Sequence, residues 1–311
     1  MTAPEPSVRD VIGAPHPDHA PLPPAAPREP GVRELRGVPY GLVEGGRPLE
    51  LDLWLPNADQ PHQPEPVPLV LFVHGGAWRR GRRNDMGLGT RSWNPGPFAR
   101  LAAAGFAVAG VDYRLSGEAT FPAPLDDLRA ALRWLTLRSA ELGIDTGRTV
   151  VWGESAGGHL ASLLALTPST STPSPLGALT PATPSPLGVV TWYAPSDLTT
   201  ARGHFTPEDP ASFEALMLGA APAAVPERAR AASPVAQAHA DAPPFLLMHG
   251  DEDSMVPCSH SEALAEALEK AGAPVELRRV AGADHGWYGL PEARVEEIFS
   301  HSLAFVRRVT A

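Results

Sequence analysis

The chain has 311 residues, 43% of them apolar, and a formal net charge of −10. That is enough apolar material for one core of ordinary size, and the acidic balance argues against nucleic acid, whose phosphates demand a basic face, and against anionic membrane surfaces. Cys258 is the only cysteine, which excludes an intrachain disulfide, and with no basic-then-apolar start and no run of about 18 apolar residues the sequence reads as soluble and cytoplasmic.

Residues 1–30 carry nine of the 37 prolines and few large apolar side chains, so they read as a disordered, loosely draped arm before a domain over 31–311. The His16-Pro17-Asp18-His19 cluster within it has the residue types of a metal site, but no other ligands are near it in the sequence and a flexible arm rarely preorganises one. Alternation over Val32 to Tyr40 and Leu49 to Trp54, joined at Glu44-Gly45-Gly46-Arg47, predicts an edge hairpin. Leu69 to Val73 is a continuous apolar run of the kind buried on both faces of a parallel sheet, and it ends at His74-Gly75-Gly76-Ala77-Trp78.

A helix near 97–104, an apolar run from Phe106 to Val111, and a helix carrying Leu125, Leu128, Leu132 and Leu135 with Gly143 as its stop continue the strand–helix rhythm. The run Thr149 to Trp152 then leads into Gly153-Glu154-Ser155-Ala156-Gly157-Gly158, and Leu160, Leu163 and Leu164 follow at helical spacing. Strand, Gly-x-Ser-x-Gly and helix in that order describe a nucleophile elbow, in which the serine hydroxyl is forced into the open beside a helix N-terminus. The bland alternative for Ser155 is a helix N-cap.

Residues 167–188 contain Thr-Pro-Ser-Pro-Leu-Gly twice, at 172–177 and 183–188, and predict a low-complexity surface loop. Strands are expected at Val189 to Tyr193, Phe245 to Met248 and Val275 to Val280. Residues 197–236 form a partial lid with helical patches over the C-terminal ends of the strands, where a doubly wound sheet binds ligands. Helices from about Ser261 to Ala271 and Val295 to Val309 complete an α/β fold with an eight-stranded, mostly parallel sheet and helices on both faces.

Acyl transfer by a serine needs an imidazole, a carboxylate to orient it, and N–H donors for the oxyanion. His285 lies in a loop after the last strand and Asp253 in the loop after the strand before it, with Asp251 competing for the carboxylate role. Backbone N–H groups of Gly76, Ala77 and Ala156 are the candidate oxyanion donors. Trp78, Trp287 and Tyr288 are the candidate pocket-mouth residues, with a core role as the plain alternative. His74, His159 and His249 read as packing or hydrogen-bonding residues. Arg79, Arg80, Arg82 and Arg83 read either as a solvated loop or as a cationic attractor for an anionic substrate.

Together, His74-Gly75-Gly76-Ala77-Trp78, Asp112-Tyr113-Arg114-Leu115, the elbow, His249-Gly250-x-x-Asp253-x-x-Val256-Pro257 and Asp284-His285-Gly286 resemble α/β-hydrolase esterases of the hormone-sensitive-lipase and feruloyl/acetylxylan-esterase-like group. The resemblance covers about residues 35–309 and implies a Ser155, Asp253, His285 triad, carboxylesterase activity on small acyl or aryl esters, no cofactor and no metal. It departs in carrying Ala77 where many such lipases have a third glycine, and in the 167–188 loop. His-Gly-Gly-x-Trp is also similar to the motif of arylformamidases, so an N-formylkynurenine-type substrate stands as the alternative. A non-catalytic hydrolase-fold binding protein is the third reading.

Overall fold

The computed structural model describes residues 15–29, 31–57, 66–167 and 183–311. Its centre is β4 (Val67–Val73), where every residue is buried. Two parallel neighbours, β5 (Ala107–Val111) and β6 (Ile144–Glu154), pair with it on either side. The sheet continues in parallel through β7 (Gly188–Trp192), β8 (Phe245–Gly250) and β9 (Val275–Val280). On the other side, β2 (Val32–Gly41) and β3 (Leu49–Pro56) form the expected hairpin, and β3 joins β5 antiparallel.

All eight strands expected from the sequence are present, and Ala26–Glu29 adds a ninth, β1, antiparallel to β2 at the edge. The arm is therefore not loosely draped over its described part. The indole N–H of Trp134 donates to the carbonyl of Pro17 at 2.9 Å, and the Arg138 guanidinium donates to the carbonyls of Pro17 and Ala20, both at 3.1 Å. Those donors lie in or beside the buried face of a helix and need partners, which the arm's main chain supplies. Residues 1–14 of the arm, and 168–182 of the low-complexity loop with the first six-residue repeat, lie outside the described residues. The second repeat is not all surface loop, because its Leu187 N–H pairs with Thr149 O at 2.7 Å and its Gly188 opens β7.

Helices cover both faces, and each face holds its own apolar cluster. One face carries α2 (Ala123–Leu137), the short α3 (Ser139–Leu142), α4 (Ala156–Leu166) and α7 (Ser259–Ala271); the other carries α1 (Pro97–Ala103) and α8 (Glu292–Thr310). Gly143 takes the left-handed conformation, φ 68°, that ends α3, so the stop read from sequence closes a second short helix rather than the long one. Side chains such as Leu69, Leu71, Val70 and Phe72 are fully buried on alternate faces of β4, each contributing about 1.5–3 kcal/mol relative to exposure.

The segment 197–236 holds α5 (Phe213–Leu218) and α6 (Pro226–Ala231). It is seated by Phe121 N–H on Met217 O at 2.8 Å and by the His159 ring on Ala232 O at 2.6 Å. Among the described residues, no helix is long and apolar enough to cross a membrane.

Candidate active site

Ser155 stands between β6 and α4 with φ 51° and ψ −124°, a conformation that costs a side-chain-bearing residue energy. Close approach enforces it, since a Cβ on Gly157 would run into the carbonyls of Val73 and His74, and a Cβ on Gly153 would run into Gly157. The Ser155 N–H donates to Trp192 O at 2.8 Å, which anchors the turn on β7. Its hydroxyl lies 3.0 Å from His285 Nε2.

His285 opens a short kinked turn, His285–Trp287, in the loop after β9, with Gly286 at φ 71°. Asp284 caps this turn: its Oδ1 accepts the N–H of His285 at 2.6 Å and the N–H of Ser254 at 2.7 Å, tying the histidine loop to the loop after β8. From that loop comes Asp253, whose Oδ2 lies 2.8 Å from His285 Nδ1. A ring nitrogen facing a carboxylate carries the proton, so Nε2 is left to accept the Ser155 hydroxyl.

The Asp253 carboxylate is fully engaged. Oδ1 accepts the N–H groups of Met255 and Val256 at 2.9 and 2.7 Å, and His249 Nε2 lies 3.3 Å from Oδ2. Burial alone would raise this carboxyl, but hydrogen bonds from His249 and His285, then the His285 charge and the Val256 N–H, hold it well below the usual carboxylate range. Asp251 points elsewhere, accepting the Gly282 N–H at 2.8 Å. Between the two competing acids, the structure brings Asp253 to the histidine.

The other histidines hold the frame. His249 is fixed by Ser261 Oγ and Val256 O, both at 2.7 Å. His74 stacks on Tyr113 with ring centroids 4.4 Å apart, and burial lowers its pKa. His159 is fully buried, and burial lowers its pKa to about 4. Among the described residues, no group of three or more His, Cys, Asp or Glu side chains could hold a metal ion.

Gly76 and Ala77 both have positive φ, 107° and 54°, and Gly76 O accepts the N–H groups of Arg79 and Arg80 at 3.1 Å, which curls the loop back on itself. Ala156, the first residue of α4, has no intrahelical acceptor for its N–H. The loop and the elbow touch at His74 and Gly157.

The aromatic residues expected at the mouth divide differently. Trp78 is 2% exposed and packs edge-on against His159 at 5.0 Å; Trp287 is 2% exposed and packs against Trp192 and Tyr193 at 5.5 and 4.7 Å. Both belong to the core. Their positive φ values, 54° and 62°, turn them out of the regular loop path. Tyr288, 71% exposed, stands in solvent. The arginine cluster also splits: Arg83 bonds Asp52 at 2.7 Å, Asp112 at 2.5 Å and Glu50 at 3.1 Å, clamping the loop to β3 and β5. Arg79 lies 5.8 Å over the Phe213 ring of α5.

Two neighbours of the site were not singled out from sequence. Glu154, inside the elbow motif, accepts the Gly75 N–H at 2.7 Å. Tyr193, at the end of β7, meets the His285 ring edge-on at 4.8 Å. An acidic residue between Gly153 and Ser155 was the available signal for the first; Tyr193 reads simply as the end of an apolar run.

The sequence pattern of the family described as BD-FAE matches residues 51–268, well over half of the chain. The chain belongs to the BD-FAE family. Two relatives of this BD-FAE protein come from Mycobacterium tuberculosis: Esterase LipQ is 30% identical over 251 residues, 80% of this chain and 56% of LipQ. Esterase LipC is 31% identical over 258 residues, 81% of this chain and 60% of LipC. The chain thus spans a little over half the length of these curated relatives. Among solved structures, a truncated carbohydrate esterase from gut microbiota superposes with a TM-score of 0.75 at 26% identity, covering 89% of this chain and 96% of that one. Est2, a thermophilic esterase of Thermogutta terrifontis, superposes with a TM-score of 0.69 at 25% identity, covering 90% and 93%. The BD-FAE protein is an α/β-hydrolase in fold.

Proposed function

We propose that this chain is a serine carboxylesterase that cleaves small acyl or aryl esters through an acyl-enzyme on Ser155. The observation that carries the reading is the continuous contact from Asp253 to His285 at 2.8 Å and from His285 to Ser155 at 3.0 Å. His285 Nε2 takes the hydroxyl proton as Ser155 Oγ attacks the ester carbonyl carbon, and Asp253 holds the imidazolium that forms. The carbonyl oxygen becomes an oxyanion facing the N–H groups of Gly76, Ala77 and Ala156. Collapse breaks the carbonyl–alkoxy bond, His285 returns its proton to the departing alcohol, and water activated by the same nitrogen releases the acid.

Exposed apolar side chains support a substrate with alkyl or aryl parts. Leu88, Met255 and Tyr288 are 54%, 56% and 71% exposed; Met255 lies in the Asp253 loop and Tyr288 in the His285 loop, while Leu88 lies beside Gly286, the residue after His285. The names of LipQ, LipC and the two superposable structures, all esterases, support the same reading. A cytoplasmic location belongs to the proposal and rests on the lone Cys258.

The test is a side-by-side assay. Esters with about two to four acyl carbons are expected to be hydrolysed at kcat/KM above roughly 10⁴ M⁻¹s⁻¹, and N-formylkynurenine at least about a hundredfold less efficiently, a ΔΔG‡ of roughly 2.7 kcal/mol. The opposite ranking would assign the same residues to formamide hydrolysis.

A further inference from the structure

Glu154 precedes Ser155 at the C-terminal end of β6. One carboxylate oxygen, Oε1, accepts the N–H of Gly75, the residue immediately before Gly76 and Ala77, and the carboxylate fills the space a Cβ on Gly75 would need. The other oxygen, Oε2, lies against Gly87 beside the Tyr193 hydroxyl. Tyr193 holds φ 40°, its N–H donating to Met248 O at 2.8 Å, and its ring lies edge-on to His285. The oxyanion loop, the nucleophile and the histidine thus converge on one partly buried carboxylate.

Its surroundings leave it weakly neutralised. Asp85 faces it, Arg91 feels its charge but is paired with Asp85 at 2.6 Å, Tyr113 and Tyr193 contribute only hydroxyls, and Asp253 lies beyond His285. Burial raises the Glu154 carboxyl, while the Gly75 N–H and, whenever its ring is protonated, His285 pull the other way. In acyl transfer the imidazolium appears only as Ser155 attacks, so a fixed negative charge near it favours the transition state over the resting enzyme.

We propose that Glu154 is a positioning residue that holds the oxyanion loop through Gly75 and, packed beside Tyr193, stabilises the protonated form of His285. This rests on the serine-hydrolase reading above. Two consequences separate the two roles. Glutamine keeps an amide oxygen for the Gly75 N–H but removes the charge; alanine removes both.

The experiment follows the rate of Ser155 labelling by a fluorophosphonate from pH 5 to 9 in wild type, Glu154→Gln and Glu154→Ala. Labelling of the wild type tests the serine-hydrolase reading by itself. Glu154→Gln is expected to label about tenfold more slowly at pH 7, with the acid limb moved at least roughly 0.5 pH unit lower, because a histidine without the nearby charge loses its proton more readily. Glu154→Ala is expected to be about tenfold slower again, with the oxyanion loop released. A Glu154→Gln variant with the wild-type rate and acid limb overturns the proposal. So do two variants slowed equally with the acid limb unmoved, the signature of plain packing. Glutamine is isosteric with the carboxyl, so if Glu154→Ala fails to fold, the glutamine profile decides alone.

Discussion

The imidazole of His285 takes its orientation from Asp253 at 2.8 Å, while Asp251, two residues earlier in the same loop, spends its carboxylate on the Gly282 N–H. Asp253→Asn is therefore expected to lower kcat by about 10⁴-fold at neutral pH, because the amide favours the wrong tautomer of His285. Asp251→Asn removes the charge of an exposed residue while its amide oxygen can still accept the Gly282 N–H, and it is expected to stay within about threefold of wild type, since surface changes of this kind usually cost under about 0.5 kcal/mol. Steady-state kinetics of the two variants on one ester check the assignment; a crippled Asp251→Asn beside an active Asp253→Asn would reverse it.

Ser155→Ala and His285→Ala are each expected to reduce kcat by roughly five to six orders of magnitude with little loss of stability, since the members of such a relay act as a unit. Circular dichroism should be unchanged, and fluorophosphonate labelling should vanish in Ser155→Ala. Either variant keeping a tenth of wild-type activity would remove that residue from the mechanism.

Gly157→Ala is expected to damage the elbow, because the added methyl meets main-chain carbonyls of β4 and its following loop that cannot step aside. Overpacking of this kind costs about 1–3 kcal/mol or more. The measurement is the urea midpoint alongside the ester rate: the elbow geometry predicts that both fall. Wild-type values in both would mean that the close approach is not what shapes the turn.

Stability should also depend on pH below neutrality through buried histidines other than His285. His260 Nδ1 receives the N–H groups of Ser196 at 3.2 Å and Asp197 at 3.4 Å, so that nitrogen must stay unprotonated, and burial, then the charge of Arg202, lowers its pKa to about 3. Burial lowers His159 to about 4. Both folded values lie under the unfolded value of about 6.5, so the unfolded chain binds more protons in between. The stability contributed by the neutral rings is complete above that unfolded value and declines as pH falls toward the folded values. Each ring should cost on the order of 2 kcal/mol between pH 7 and 5. Urea unfolding at the two pH values measures the difference, and equal midpoints would contradict it.

The order of strands and helices was legible in the sequence because each element signals locally. Apolar runs such as Leu69 to Val73 need burial on both faces wherever they sit, and the leucines of α2 and α4 recur at helical spacing. Gly153 and Gly157 marked the elbow for a similar reason, since a tight turn imposes its demand on residues only a few positions apart. The docking of the arm was not legible: the partners of Pro17 and Ala20 are Trp134 and Arg138, more than a hundred residues away, and proline-rich composition says nothing of a distant donor in need of an acceptor. Spacing alone also left Asp251 and Asp253 in competition, because both stand in one loop and only the packing of the β8 and β9 loops, tied through Ser254 and Asp284, turns one carboxylate toward His285. Trp78 and Trp287 looked like pocket residues by their nearness in sequence to His74 and His285, yet positive φ at each sends the ring into the core. Side-chain direction after a tight turn depends on dihedral angles that the surrounding packing sets, and for that reason the residues of the candidate site could be named from the sequence while the direction of the aromatic rings beside them was decided by the tertiary structure.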